Sequence, residues 1–193
     1  MEPKGNIMLS DLQRAKLPNL FEMFDANNNG VLDKKDIVRI IDTCAGQKGL
    51  DKKSEDYNQH ESAFLGLWVG MTTLADKNMD DKVTPDEFLA FFDYLIQNKN
   101  NYKAVVNKLS EGFFCTFDKD NDGRLTFIEY RQFYEAVGLD ERFARMIFDK
   151  LDLDSNGSIS IKTLKILIDQ FFRSQDANAP GNQFFGPVTN ATA

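Results

Sequence analysis

Histidine and tryptophan occur once each in this chain, at His60 and Trp68, and cysteine only twice, at Cys44 and Cys115. No Ser-His-Asp or Cys-His arrangement for nucleophilic catalysis is apparent around a single histidine. The cysteines form neither a CxxC pair nor a disulfide-dense pattern, so buried free thiols are expected. No phosphate-binding GxxxxGK[ST] loop is present; Gly46-Gln47-Lys48-Gly49 has the wrong spacing. No stretch is long enough to span a bilayer, and Met1-Glu2-Pro3-Lys4-Gly5 carries neither an apolar signal region nor a glycine for myristoylation. The expected address is cytoplasmic. Positive charge is also short: 23 Lys and Arg stand against 30 Asp and Glu, for a net charge of −7, which argues against binding a phosphate backbone. An excess of acid suits cations.

Of the 193 residues, 42% are hydrophobic, enough for a core. Segments of the form Asp-x-[Asn/Asp]-x-[Asn/Asp] begin at Asp25, Asp76, Asp118 and Asp152, each flanked by apolar residues at helical spacing. Leu17, Leu20, Phe21 and Phe24 lead into the first segment behind a Ser10/Gln13 capping-box pattern, and Ile37, Val38, Ile40 and Ile41 lead out. Phe64, Leu67, Trp68, Met71 and Leu74 enter the second; Phe88, Leu89, Phe91, Phe92 and Leu95 leave it. The third and fourth units follow with Phe113, Phe114, Phe117, Ile128 and Phe133, then Phe143, Met146, Ile147, Leu164, Ile166 and Phe171. Residues 46–58 read as an exposed connection, and Asn98-Lys99-Asn100-Asn101 as a boundary between halves. Trp68 reads as a core anchor and His60, in a polar stretch, as solvated.

Each segment matches a twelve-residue helix-loop-helix cation site that presents oxygens from positions 1, 3, 5, 7, 9 and 12 and turns on glycine at 6. The third loop is complete: carboxylates from Asp118, Asp120 and Asp122, Gly123 at the turn, the carbonyl of Arg124, and Glu129 to bind with both oxygens. Thr126 and Glu129 also form a capping box. The second offers Asp76, Asn78, Asp80, the carbonyl of Lys82, Thr84 through a water, and Glu87, with Pro85 at the first helical position. Asp81 replaces its glycine, at a cost of about 1 kcal/mol for a left-handed backbone.

The first loop offers Asp25, Asn27, Asn29, the carbonyl of Val31 and Asp33, but closes on Asp36, one methylene shorter than glutamate. Fewer ligands favour Mg²⁺, which binds oxygen at about 2.0–2.1 Å against about 2.3–2.6 Å for Ca²⁺, so a mixed Ca²⁺/Mg²⁺ site is expected. The fourth begins with Asp152, Asp154, Asn156 and Gly157 yet ends on Thr163, and reads as a structural partner of the third. Position 8 is apolar every time, at Leu32, Val83, Leu125 and Ile159, as a short β-bridge between paired loops requires. The expected fold is therefore all-α: four EF-hand units paired into two halves, 1–98 and 99–175, with the tail 176–193 packing back on the body.

On these four loops, the degenerate last one, the long spacing between the first two and the tail Asp176-Ala177-Asn178-Ala179-Pro180-Gly181-Asn182-Gln183-Phe184-Phe185-Gly186, the chain resembles the sarcoplasmic calcium-binding protein and calexcitin group. The tail is also similar to that of insect juvenile hormone diol kinase-like members. The resemblance implies calcium buffering or calcium signalling; a monomer is expected. Alternatives from other classes are a sensor binding a protein or membrane partner on Ca²⁺, since three filled sites would bring the charge from −7 to −1, and a nucleotide-dependent kinase of an apolar diol. The group also resembles photoproteins and luciferin-binding proteins, and seventeen phenylalanines could line a cavity for a small apolar ligand; core packing is the simpler reading. One histidine and one tryptophan argue against light emission.

Overall fold

The computed structural model describes residues 9–188, apart from the side chains of Gln47 and Cys115. Met8 ahead of the first helix, the Cys115 thiol and the tail beyond 188 lie outside the described residues. Within them the chain forms α1 (Asp11–Phe24), α2 (Lys34–Lys48), α3 (Glu55–Ala75), α4 (Pro85–Gln97), α5 (Lys99–Phe117), β1 (Arg124–Thr126), α6 (Phe127–Ala136), α7 (Ala144–Leu151), β2 (Ser158–Ser160) and α8 (Ile161–Arg173). Short 3-10 turns cover Glu141–Phe143 and Pro180–Gln183.

Helix starts follow local chemistry. Ser10 Oγ accepts from Gln13 N and Gln13 Oε1 from Ser10 N, closing a capping box on α1. Thr84 and Glu87 do the same for α4 behind Pro85, and Thr126 and Glu129 for α6. The 46–58 connection is shorter than expected. Residues 46–48 finish α2, Gly49 turns the chain at φ 69°, and Ser54 caps α3. Between α4 and α5 stands Asn98 alone, capping the end of one and the start of the other.

The four helix-loop-helix units pair as the apolar position 8 requires. Leu32 and Val83 exchange both backbone hydrogen bonds at 2.9 Å, and Leu125 faces Ile159 in the antiparallel β1–β2 ribbon. All four side chains are fully buried. Their burial ties each pair of loops to the core, so a change in one loop is felt by its neighbour.

Buried residues form one continuous cluster from Leu9 to Phe185. Phe92 of α4 stacks on Phe172 of α8 with centroids 5.0 Å apart, joining the second and last units. After α8 the chain folds back, and Phe184 inserts among Phe113, Tyr130 and Phe133, while Phe185 meets Phe171 edge-on. A Cβ at Gly181 would lie 2.2 Å from the carbonyl oxygen of Leu167, so only glycine lets the tail approach α8 this closely.

Several expectations about faces are corrected. Val38, Leu74, Ile128, Met146 and Ile166 sit on the solvent side. Each helical residue turns the face by about 100°, so an apolar neighbour of a core residue need not share its stripe. His60 is fully buried rather than solvated, because α3 begins at Glu55 and places it on the stripe of Tyr57, Leu67, Trp68 and Met71. Trp68 is buried as expected. Cys44 is a buried free thiol whose pKa burial pushes up to about 12.

Candidate functional site

The four loops are built on one backbone plan. Positions 4 and 6 lie in the left-handed region throughout: Asn28 and Gly30, Met79 and Asp81, Asn121 and Gly123, Ser155 and Gly157. This wraps positions 5 and 6 around the carboxylate at position 1. Asp25, Asp76, Asp118 and Asp152 each accept both of those N–H groups; for Asp118 the donors are Asp122 N at 3.0 Å and Gly123 N at 2.9 Å. Asp81 adopts φ 58°, so the second loop keeps the turn without its glycine.

The closing carboxylate distinguishes the loops. Glu129 Oε2 accepts from Thr126 N and Oγ1, both at 2.8 Å, while Oε1 accepts from Lys119 N at 2.8 Å. Glu87 does likewise with Thr84 and, at 3.3 Å, Lys77 N. In the third loop, carboxylate oxygens of Asp118, Asp120 and Glu129 lie within 4.8 Å of one another, the one such cluster among the described residues. Asp122 turns instead to Arg124 N, at 2.8 Å. Burial, and then the charges of Glu129 and Asp122, push the Asp118 carboxyl up, whereas backbone hydrogen bonds pull it down. Hard oxygens held close together against their own repulsion fit a divalent cation. At the same three positions the second loop has Asp76, Asn78 and Glu87, so a neutral amide oxygen replaces the Asp120 carboxylate there.

In the first loop, Asp36 is fully buried and accepts from Asp33 N at 2.9 Å and from the Asn27 side-chain amide. Burial is the main cause raising its carboxyl pKa, opposed by the Asp33 backbone hydrogen bond. Asn29 Oδ1 accepts from Val31 N at 3.0 Å, as Asp80 Oδ1 does from Lys82 N. Asn78 donates to Asp80 at 3.0 Å. Asp33, at position 9, also caps α2 through Lys35 N and Asp36 N. The fourth loop repeats the plan except at its end, where Thr163 Oγ1 lies 3.0 Å from Ser160 Oγ and brings no charge.

His60 and Lys16 are buried titratable side chains whose burial the sequence did not announce. His60 Nε2 lies 3.3 Å from Ile41 O, and its Nδ1 lies 2.6 Å from Thr116 Oγ1, two residues before Asp118. Lys16 is fully buried, with Nζ 2.8 Å from Asn182 Oδ1 and 3.3 Å from Gln170 O. Neither is flagged by local pattern. His60 is signalled only by its phase with Leu67 and Met71.

A family model described as EF hand matches residues 19–41 and 111–134. Sarcoplasmic calcium-binding protein of Scylla paramamosain is 29% identical over 181 residues, covering 86% of this chain and 90% of that protein. Calerythrin of Saccharopolyspora erythraea is 24% identical over 166 residues, covering 85% and 94%. Among solved structures, a calcium-binding protein of Streptomyces coelicolor superposes with a TM-score of 0.71 at 21% identity, over 86% of this chain and all of that one. Among the described residues no helix is long and apolar enough to cross a membrane.

Proposed function

Because this chain belongs to the sarcoplasmic calcium-binding protein group of EF-hand proteins, we propose that its calcium binding is that of a buffer with three working loops, 25–36, 76–87 and 118–129. The observation that carries this is the third loop, where three carboxylates converge on one point and Glu129 is held at both oxygens by backbone donors. The second loop shares the frame and closes on Glu87. The first closes on the shorter Asp36 and takes either Ca²⁺ or Mg²⁺. Loop 152–163 pairs with the third and holds no ion of its own, since a hydroxyl cannot replace a two-oxygen carboxylate.

A buffer rather than a sensor is supported by the closed interior. The apolar space enclosed by residues such as Phe24, Phe113, Phe133 and Phe185 amounts to about 40 Å³, near the room of a single water. Phe184 and Phe185 are buried, so the chain's own tail supplies side chains to this apolar interior. Calorimetric Ca²⁺ titration of metal-free protein, with and without millimolar Mg²⁺ and with an apolar dye present, tests the reading. Three sites, one displaced by Mg²⁺, and little dye response are expected. Fewer than two sites would break the loop assignments, and a strong Ca²⁺-specific dye signal would make the protein a sensor.

A further inference from the structure

Between the first and second halves an open cleft of about 710 Å³ runs beside loop 25–36, within the size range of small-molecule sites. Its floor is apolar: Met23, Ile40, Val137, Leu139, Phe143 and Phe185. Met23, Ile40, Val137 and Phe185 also wall the closed interior space, so the cleft floor is the outer skin of the core. The rim is acidic. Glu22, Asp25, Glu135 and Asp140 line it against one cation, Arg39, whose guanidinium donates to Ala26 O at 2.9 Å. Asp140 is paired with Arg142, but Glu22 and Glu135 are exposed and have no ion pair with another described residue.

We propose that this cleft binds an amphiphilic organic cation: an apolar body against Met23, Ile40, Val137 and Phe185, and a positively charged head between the carboxylates of Glu22 and Glu135. Four carboxylates outnumber Arg39 and the Asp140-paired Arg142 there, so the rim repels an anion, and a neutral amphiphile gains nothing from Glu22 and Glu135. The tail supplies Phe185 to the floor and Pro187 to the rim, the latter fastened by Asn19 Nδ2 donating to Pro187 O at 2.8 Å.

The position of Asp25 gives the site a direction. It lines the cleft and is also position 1 of the first loop, so a divalent ion there adds positive charge beside the bound head group. On the reading that this loop holds metal, cation in the cleft and metal in the loop oppose each other, each weakening the other by the same factor.

The probe is decyltrimethylammonium below its micelle concentration, followed by amide chemical shifts of metal-free protein, with decyl sulfate and decyl glucoside as matched controls. Saturable shifts centred on Met23, Ile40, Val137 and Phe185 are expected, with binding about tenfold tighter than for either control. Glu22→Gln with Glu135→Gln, both on exposed positions, is expected to weaken the ammonium about fivefold and leave the glucoside unchanged. Equal affinity for the three probes, shifts centred elsewhere, or tighter binding of a basic Leu/Lys amphipathic peptide at these residues would overturn the proposal. Saturating Ca²⁺ is expected to weaken the ammonium by about two- to fivefold. Ammonium binding that ignores Ca²⁺ would count against metal in the first loop and leave the cleft standing.

Discussion

The ammonium of Lys16, in α1, donates to Asn182 Oδ1 in the tail at 2.8 Å, across 166 residues of chain. Asn182 is held in turn by donating to the carbonyls of Asp176 and Ala177, at 2.8 and 3.1 Å. The Lys16 charge also sits 5.5 Å from the Phe171 ring centroid. A single buried cation therefore fastens the tail, and with it Phe184 and Phe185, to both ends of the fold.

Burial lowers the Lys16 pKa from 10.5 to about 8. Between those values the unfolded chain holds the proton more tightly than the folded one, so this residue's contribution to stability rises as pH climbs from 8 towards 10.5. Urea unfolding of wild type and Lys16→Met across that range should show the rise in wild type alone. Asn182→Leu, which leaves the ammonium only the longer bond to the Gln170 carbonyl, should cost about 1.5–3 kcal/mol near neutrality. A loss under 1 kcal/mol would mean that the tail is not fastened here.

Acid should loosen the middle of the molecule. Burial lowers the His60 pKa from 6.5, with Nε2 against Ile41 O and Nδ1 against Thr116 Oγ1, a hydroxyl that also donates to Gly112 O. Below about pH 6.5 the unfolded chain takes up a proton that the folded chain resists, so stability falls as pH drops. His60→Gln lacks this titration, and the gap between wild type and variant should shrink from pH 7.5 to 5.5. A gap independent of pH would show an imidazole that titrates as in the unfolded chain, and a gap that widens towards acid one that is charged in the fold.

Thr163→Glu should awaken the fourth loop. Asp152 already gathers Asn156 N and Gly157 N, and Ser160 already caps α8, so the missing element is a carboxylate able to accept from position 9 as Glu129 does from Thr126. Calorimetry should count one more Ca²⁺ per chain than wild type. An unchanged count would place the defect elsewhere in the loop.

Relief of the left-handed backbone at Asp81 should strengthen the second loop. With φ at 58° and an exposed side chain, Asp81→Gly is expected to add about 0.5–1 kcal/mol of stability and to tighten Ca²⁺ there. Unchanged unfolding with weaker Ca²⁺ would show that the lost charge matters more than the backbone.

Short-range chemistry explains what could be read without coordinates. The Asp-x-[Asn/Asp]-x-[Asn/Asp] pattern within each loop and the caps at Ser10, Thr84 and Thr126 act over a dozen residues or fewer, so the loops and these helix starts were legible in the sequence, and the apolar residue at position 8 marked where the β-bridges form, whereas the Ser54 start of α3 was not. Tertiary structure decided what depends on distant partners. It buried Lys16 by bringing Asn182 to it, and placed His60 between Ile41 and Thr116 on two other helices. It also turned Ile128 and Ile166 to solvent, which composition could not foresee because each apolar stripe is narrower than the apolar content of its helix.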